Sequence, residues 1–276
     1  MTASVFRKSS GYPGFGAVTL LLFLFLYLPI AVLVVFSFNS SNSVTVWQSF
    51  SLHWYASALE NLDLQKATLN TLMVASVATV GAVLISLPAA LVLTGPYAPP
   101  RLARASIGVM SLPLIVPEIV LAIATLIFFK MAGINLGLGN VMIAHIVFCT
   151  PFALLPIMAR LKSMDYRLNE AAYDLYASRA QAFRLVILPQ LTTGILSGAM
   201  MAFIVSFDNF IITLMVSGAG GTTLPLYIYG LVKTEITPEL NAVSTAIFLL
   251  SFVLLVLAYV LTGGRIAGAT AKDDGQ

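Results

Sequence analysis

Six long apolar runs, separated by short polar segments, organise this chain. They cover approximately residues 16–38, 69–93, 105–129, 141–161, 191–216 and 242–261. A helix rises 1.5 Å per residue, so about 20 residues cross the hydrocarbon core of a bilayer. Each run is therefore expected to be a membrane-spanning helix. The fourth contains Pro151 and Pro156, which membrane helices tolerate where neighbouring helices or waters satisfy the freed carbonyls. The first follows Arg7 and Lys8 but exceeds the ~7–15 residue core of a cleaved signal. No clear small-x-small site ends it, so it reads as a retained first span.

The polar connections differ in kind. Residues 39–66 carry Trp47, His53, Trp54 and Tyr55, side chains suited to a membrane–water interface. Residues 217–240 contain Gly218, Gly220, Gly221, Pro225 and Pro238 and read as an ordered external loop. No internal repeat is evident, and the tail 271–276 is polar. The expectation is one transmembrane domain over 1–276.

Composition agrees with the runs. Of 276 residues, 59% are hydrophobic and 9% charged, with mean hydropathy +0.96, whereas soluble domains carry roughly 25% charged residues. A net charge of +3 is too small to suggest nucleic-acid binding. The placement of the basic residues is more telling. Arg7, Lys8, Arg101, Arg104, Arg160, Lys162, Arg167, Arg179, Arg184, Arg265 and Lys272 fall on one side, and Lys66, Lys130 and Lys233 on the other. By the positive-inside bias both termini are expected in the cytoplasm, which suits an even number of spans. The single cysteine, Cys149, lies in an apolar run and excludes an internal disulfide framework and a Cys-based zinc site.

The most informative polar stretch is the cytoplasmic loop 162–190. Asn169 can cap a helix starting at Glu170. Ser178 with Gln181 three residues on forms a capping box for a second helix, and Pro189 is expected to end it. Two short helices joined at Leu175-Tyr176-Ala177 suit docking onto a protein partner, and equally a membrane surface. Glu170-Ala171-Ala172, Leu175, Ala177-Ser178, Phe183 and Ile187-Leu188-Pro189 resemble the EAA loop of inner-membrane permeases of binding-protein-dependent ABC importers.

The resemblance extends over nearly the whole chain and is strongest to the spermidine/putrescine-type permeases. It is carried by Phe38-Asn39-Ser40-Ser41, Trp54-Tyr55, Pro113 to Glu118, Ser206-Phe207-Asp208-Asn209-Phe210, residues 223–229 and residues 236–242. It implies an all-α membrane protein of six transmembrane helices with the type I importer permease (MetI-like) fold. It also implies that Glu170, Ala171, Ala172, Leu175, Tyr176, Ala177 and Ser178 couple to a cytoplasmic ATPase. The implied partners are a second permease subunit, two ATPase subunits and a periplasmic solute-binding protein. The location implied is the bacterial inner membrane. Such permeases usually have glycine where this chain has Tyr176, so Tyr176 must adopt a left-handed angle or reshape the turn. The polyamine subgroup often has a second acidic residue where this chain has Asn209.

Two carboxylates fall within the runs: Glu118 in the middle of the third and Asp208 in the outer half of the fifth. A charge at the centre of a membrane helix costs about 2.5–3.5 kcal/mol on insertion scales. Such a group faces a cavity or a partner, so both are candidates to line the path of an organic cation, with Phe207, Phe210 and Tyr227 adding cation–π attraction. Alternatively each carboxylate caps or bonds a neighbouring helix, or is protonated and neutral. His145 is expected to be a satisfied packing histidine, and Asn70 and Thr71 to bond between helices.

The sequence contains no Gly-x-x-x-x-Gly-Lys-Ser/Thr loop and no Gly-Lys pair. ATP and Mg are therefore expected on separate ATPase subunits, with no cofactor in this chain. No Gly-x-Ser-x-Gly elbow or histidine-rich metal cluster occurs either, so no enzymatic activity is expected. Two alternatives stay open: an importer permease for another solute, such as an opine, a quaternary amine or an iron complex, and a secondary transporter.

Overall fold

The computed structural model describes residues 15–95, 99–165, 167–234 and 237–261. Arg7, Lys8, Arg265 and Lys272, which contribute to the expected orientation, lie outside these residues, as do Ile236 and the polar tail. The described residues are helical apart from loops and one isolated bridge between Asn39 and Phe50. The first apolar run forms α1 (Phe15–Phe36). A folded connection leads to α2 (His53–Glu60), and the second run forms α3 (Leu62–Thr94).

The third run is not one helix. It divides into α4 (Pro100–Met110), α5 (Leu112–Ile115) and α6 (Glu118–Met131). The reason lies in Pro113 and Pro117. Pro113 supplies no N–H to continue the α4 ladder, and Pro117 pushes the residue before it out of helical geometry; Val116 accordingly has ψ 134°. Glu118, expected at mid-helix, instead opens α6 immediately after Pro117.

The fourth run is α7 (Leu138–Lys162), which stays continuous through Pro151 and Pro156. The cytoplasmic loop forms α8 (Arg167–Asp174) and α9 (Arg179–Ala182). A π-helical turn over Phe183–Ile187 joins α9 to α10 (Leu188–Phe207). Pro189 therefore does not end the second loop helix. It lies inside the continuous helix 179–207, and the wider π turn before it absorbs the hydrogen bond that its missing N–H cannot make. The fifth run breaks again before α11 (Ile211–Val216).

The segment expected as an external loop contains an 11-residue helix, α12 (Leu224–Thr234). The sixth run falls on α13 (Pro238–Leu261). Among the described residues four helices are long and apolar enough to cross a membrane: 16–36, 62–94, 138–162 and the continuous 179–207. The third and sixth expected spans are the broken α4–α6 run and α13, whose apolar stretch covers 238–253.

Packing divides the chain into two units. One is drawn from Met1–Glu60 and Leu231–Phe248, the other from Asn61–Gly230 and Leu249–Gln276. In the first, α1 has mean hydropathy 2.9 with none of its apolar window buried, a surface suited to lipid. Its C-terminal end is secured by Asn39, which is 1% exposed. The Asn39 amide donates to the Val46 carbonyl at 2.7 Å and accepts from the Gln48 N–H at 2.9 Å. Phe38 packs on Phe50 and Tyr55, and Ser37 shares a hydrogen bond with the Tyr55 hydroxyl at 2.7 Å.

In the second unit, α3, α7 and α10 pack on one another along small side chains. Ala67, Ala75, Ala78, Ala82, Ser86 and Ala90 form the buried face of α3. Leu191, Gly194, Gly198, Ala202 and Ser206 form that of α10. Small residues let membrane helices approach closely where no hydrophobic effect drives them together. At Gly198 the approach is extreme: a Cβ there would lie 2.6 Å from the Ala153 carbonyl oxygen. Ser86 donates to the Thr150 carbonyl at 2.9 Å and Arg160 Nε to the Gln190 carbonyl at 2.8 Å.

Candidate functional site

The break between α10 and α11 gathers several polar residues of the spans. Phe207 ends α10, Asp208 caps it, and α11 begins at Ile211. Asn209, 6% exposed, turns its side chain across the break. Its Oδ1 accepts from the Ile212 N–H at 3.2 Å, satisfying one of the orphan donors of α11. Its Nδ2 donates to Glu118 Oε1 at 2.6 Å. Glu118 is half-buried in the first turn of α6, where the positive end of the helix dipole favours a carboxylate.

Buried His145, on α7, clamps the other side of the break. Its Nδ1 meets Ser206 Oγ at 2.8 Å, and its Nε2 meets Thr213 Oγ1 at 3.1 Å. Both ring nitrogens are satisfied, as expected of a packing histidine. The same residue thereby joins the last turn of α10 to α11. The polar chain Ser206–His145–Thr213–Asn209–Glu118 ties four helices together, the Thr213 hydroxyl donating to the Asn209 carbonyl at 3.4 Å.

Asp208 is placed differently from Glu118. Its side chain is exposed, and it stands at the carbonyl end of α10. A carboxylate there adds to the negative end of the helix dipole rather than opposing it, which makes the spot attractive to a cation. Phe207, next to it, is buried at 3% and stacks on Phe203 at 6.0 Å, so its ring does not share the exposed face of Asp208. Phe210 packs against Tyr229 at 4.7 Å. The Tyr227 hydroxyl accepts from Asn61 Nδ2 at 3.0 Å. It lines a separate pocket with Asp63, Lys66, Asn70, Gly220 and Thr222. Glu118 and Asn209 are thus brought together, with Asp208 next to Asn209 in the chain, while Tyr227 belongs to the neighbourhood of the α3 N-terminus.

That neighbourhood explains Asn70 and Thr71. Asn70 Nδ2 donates to the carbonyls of Gly220 and Thr222 at 3.0 and 2.9 Å, and the Thr71 hydroxyl accepts from the Leu224 N–H at 2.7 Å. Thr71 thereby joins α3 to the first residue of α12, a bond between helices as expected, whereas Asn70 bonds to the loop entering α12, whose backbone groups need partners.

The coupling loop has its own geometry. Its first helix begins at Arg167, ahead of the expected Glu170, because Asp165 Oδ1 accepts from the Arg167 N–H at 3.0 Å. Asn169 therefore lies within the helix and does not cap it. Glu170 is exposed in the first turn and Ala171 is exposed beside it, while Ala172 is buried. The helix closes with Ala177 N–H to the Ala172 carbonyl at 3.0 Å and Tyr176 N–H to the Tyr173 carbonyl at 2.9 Å. This is the Schellman pattern, which wants a left-handed residue at its turn. Tyr176 supplies it with φ 59°, the one non-glycine residue of positive φ among the described residues. The expected capping box is present: Gln181 N–H to Ser178 Oγ at 3.3 Å and Ser178 N–H to Gln181 Oε1 at 2.8 Å. At the tip Leu175 is 82% and Tyr176 96% exposed, an apolar knob suited to a protein pocket.

The sequence profile of the family described as "Binding-protein-dependent transport system inner membrane component" matches residues 82–264. The chain belongs to this family. It is 35% identical over 216 residues to the spermidine/putrescine transport system permease protein PotC of Haemophilus influenzae, covering 78% of this chain and 83% of the relative. It is 33% identical over 233 residues to PotC of Escherichia coli, covering 84% and 87%. It is 34% identical over 215 residues to the putrescine transport system permease protein PotI of Escherichia coli, covering 76% of each. The fold matches that of the solved bacterial ABC transporter that imports the acidic polysaccharide alginate, with TM-score 0.67 at 15% identity over 90% of this chain and 94% of that one. It also matches the MetNI methionine ABC transporter, with TM-score 0.62 at 20% identity over 73% and 95%. The chain is accordingly a permease subunit of an ABC importer, with the type I importer permease (MetI-like) fold. It is the membrane component of such a system and not its ATPase.

Sequence reasoning missed Asn209 as the partner of Glu118, Asp165 as the loop-helix cap, and the glycine face of α10. The last had a signal, since Gly194 and Gly198 form a Gly-x-x-x-Gly pair. The Asn209–Glu118 pairing is a tertiary contact across 91 residues of sequence, and spacing alone carries no trace of it.

Proposed function

We propose that this chain forms half of the path by which an ATP-driven importer carries a polyamine, spermidine or putrescine, across the inner membrane. The observation that carries the reading is the α10–α11 break. There an exposed Asp208 stands at the negative end of a helix, and Asn209, next to it, hydrogen-bonds Glu118. Helix ends inside membrane transporters serve as ion sites because their dipoles and freed backbone groups point at the solute. An ammonium group entering there is drawn to the exposed Asp208 and the half-buried Glu118, and pairing offsets the partial burial of Glu118. The relatives named for spermidine and putrescine support the choice of solute.

In this reading the chain is a single transmembrane domain that crosses six times, with both termini in the cytoplasm. A second permease subunit completes the path, and a periplasmic binding protein delivers the solute. Two ATPase subunits, which hold ATP and Mg, receive residues 170–178 of the coupling loop. The ring of Phe210 is a secondary contact beside the path and Phe207 packs next to it, while Tyr227 stands apart at the pocket by the start of α3.

The test is uptake of labelled spermidine and putrescine by the reconstituted complex. Glu118→Gln and Asp208→Asn keep size and remove charge. Each should lower uptake while the subunits still co-purify in normal proportion. If both variants transport at the parental rate, the cation-path reading is wrong.

A further inference from the structure

We propose that Asn209 is a positioning residue, which holds the Glu118 carboxylate so that one oxygen is fixed and the other is presented to the solute. This rests on the reading of Glu118 as a path residue. The orientation of the Asn209 amide is dictated locally. Its Oδ1 is committed to the Ile212 N–H at 3.2 Å, so its Nδ2 must point the other way, to Glu118 Oε1 at 2.6 Å. Asn209 has little freedom to rotate, being buried and having its own carbonyl engaged by Thr213, which His145 holds in turn. The carboxylate is thus anchored through three helices rather than through its own torsions.

The consequence is chemical. A hydrogen bond to a charged group is worth more than a neutral one, and a pre-oriented carboxylate loses less entropy when it takes up an ammonium. Oε1 is occupied by the amide, leaving Oε2 for the solute. Asp208, one residue away, has an exposed side chain, so the two carboxylates differ in kind: one held in place, one free to turn. An asparagine also leaves a single negative charge within the pair, where an acid would set two carboxylates 2.6 Å apart and force one to take a proton.

A double-mutant cycle on the reconstituted complex, with labelled spermidine as the probe, tests this. Asn209→Ser keeps a capping oxygen for Ile212, since serine is a good helix cap, but cannot reach Glu118. It should raise KM for spermidine about tenfold, the loss of one charge-assisted hydrogen bond, with kcat changing much less. Glu118→Asp withdraws the carboxylate from an unaltered Asn209 and should raise KM similarly. In a Glu118→Gln background, Asn209→Ser should add little, because no charge remains to be positioned. Parental KM in Asn209→Ser or Glu118→Asp, or full additivity with Glu118→Gln, would overturn the positioning role while leaving the path reading intact. Parental KM in Glu118→Gln itself would remove the path reading and this proposal with it.

Discussion

Gly198 offers the sharpest test of how the transmembrane core is held together. In Gly198→Ala the new methyl carbon would lie 2.6 Å from the Ala153 carbonyl oxygen, 3.2 Å from its Cα and 3.3 Å from its carbonyl carbon. All three are backbone atoms of a residue that is itself fully buried, so no rotamer change relieves the contact. Carbon atoms pack comfortably at about 3.5–4.0 Å, and α10 must move away from α7 by a sizeable fraction of an ångström. Overpacking of this kind costs about 1–3 kcal/mol, against a gain of about 1 kcal/mol from replacing glycine with alanine inside a helix. The clash wins, and the net loss is on the order of 1 kcal/mol. Gly108 in α4 is the control, because a Cβ there meets nothing within 4 Å. There only the propensity gain applies. Thermal unfolding of the purified complex in detergent should show Gly198→Ala melting about 2–4 °C lower, and Gly108→Ala melting no lower than the parent. A Gly198→Ala protein as stable as the parent would mean that α7 and α10 are not in the close contact described.

Two further predictions concern the coupling loop. Tyr176→Gly removes a left-handed strain of about 1–2 kcal/mol from a side chain that is 96% exposed. Hydrogen exchange at the Tyr176 and Ala177 amides should therefore slow in the free permease while affinity for the ATPase subunits falls, and unchanged affinity would deny the ring a docking role. Glu170→Lys should insert normally but lose solute-stimulated ATP hydrolysis, through reversed charge at an exposed first turn where the dipole favours an acid; retained stimulation would take Glu170 out of the coupling mechanism.

Much of the fold is legible in the sequence because lipid imposes a one-dimensional rule. A span must be long, apolar and internally hydrogen-bonded, and the runs at 16–38, 69–93 and 141–161 each became one helix over nearly those residues. The coupling loop is legible for another reason. Caps are local chemistry, so the Ser178–Gln181 box stands where its spacing put it. A Tyr in a glycine position had two outcomes, and the strained one occurs. The same local rules misjudge Pro189, whose effect depends on the turn that precedes it. The π turn at Phe183–Ile187 has no signature of its own and carries the helix past the proline expected to stop it.

The breaks within spans were less legible, and they are where the chemistry is. Hydropathy counts Pro113, Pro117 and Asp208 as tolerable interruptions, because a window average cannot tell a charge in mid-helix from a charge at a helix end. The distinction decides the energetics. In mid-helix, the Glu118 carboxylate would have no backbone partner and would bear the full cost of burial. At the start of α6 it faces freed N–H groups and the positive end of the dipole, and Pro117 is what puts it there. Asp208 and Asn209 occupy the corresponding break between α10 and α11. The end of α10 leaves carbonyls and the start of α11 leaves N–H groups, and Asn209 answers the second with its own oxygen. A polar residue that looks costly within an apolar run is therefore evidence for a helix end at that point. Glu118, Asp208 and Asn209 are the three residues at which a span read as continuous should have been read as broken.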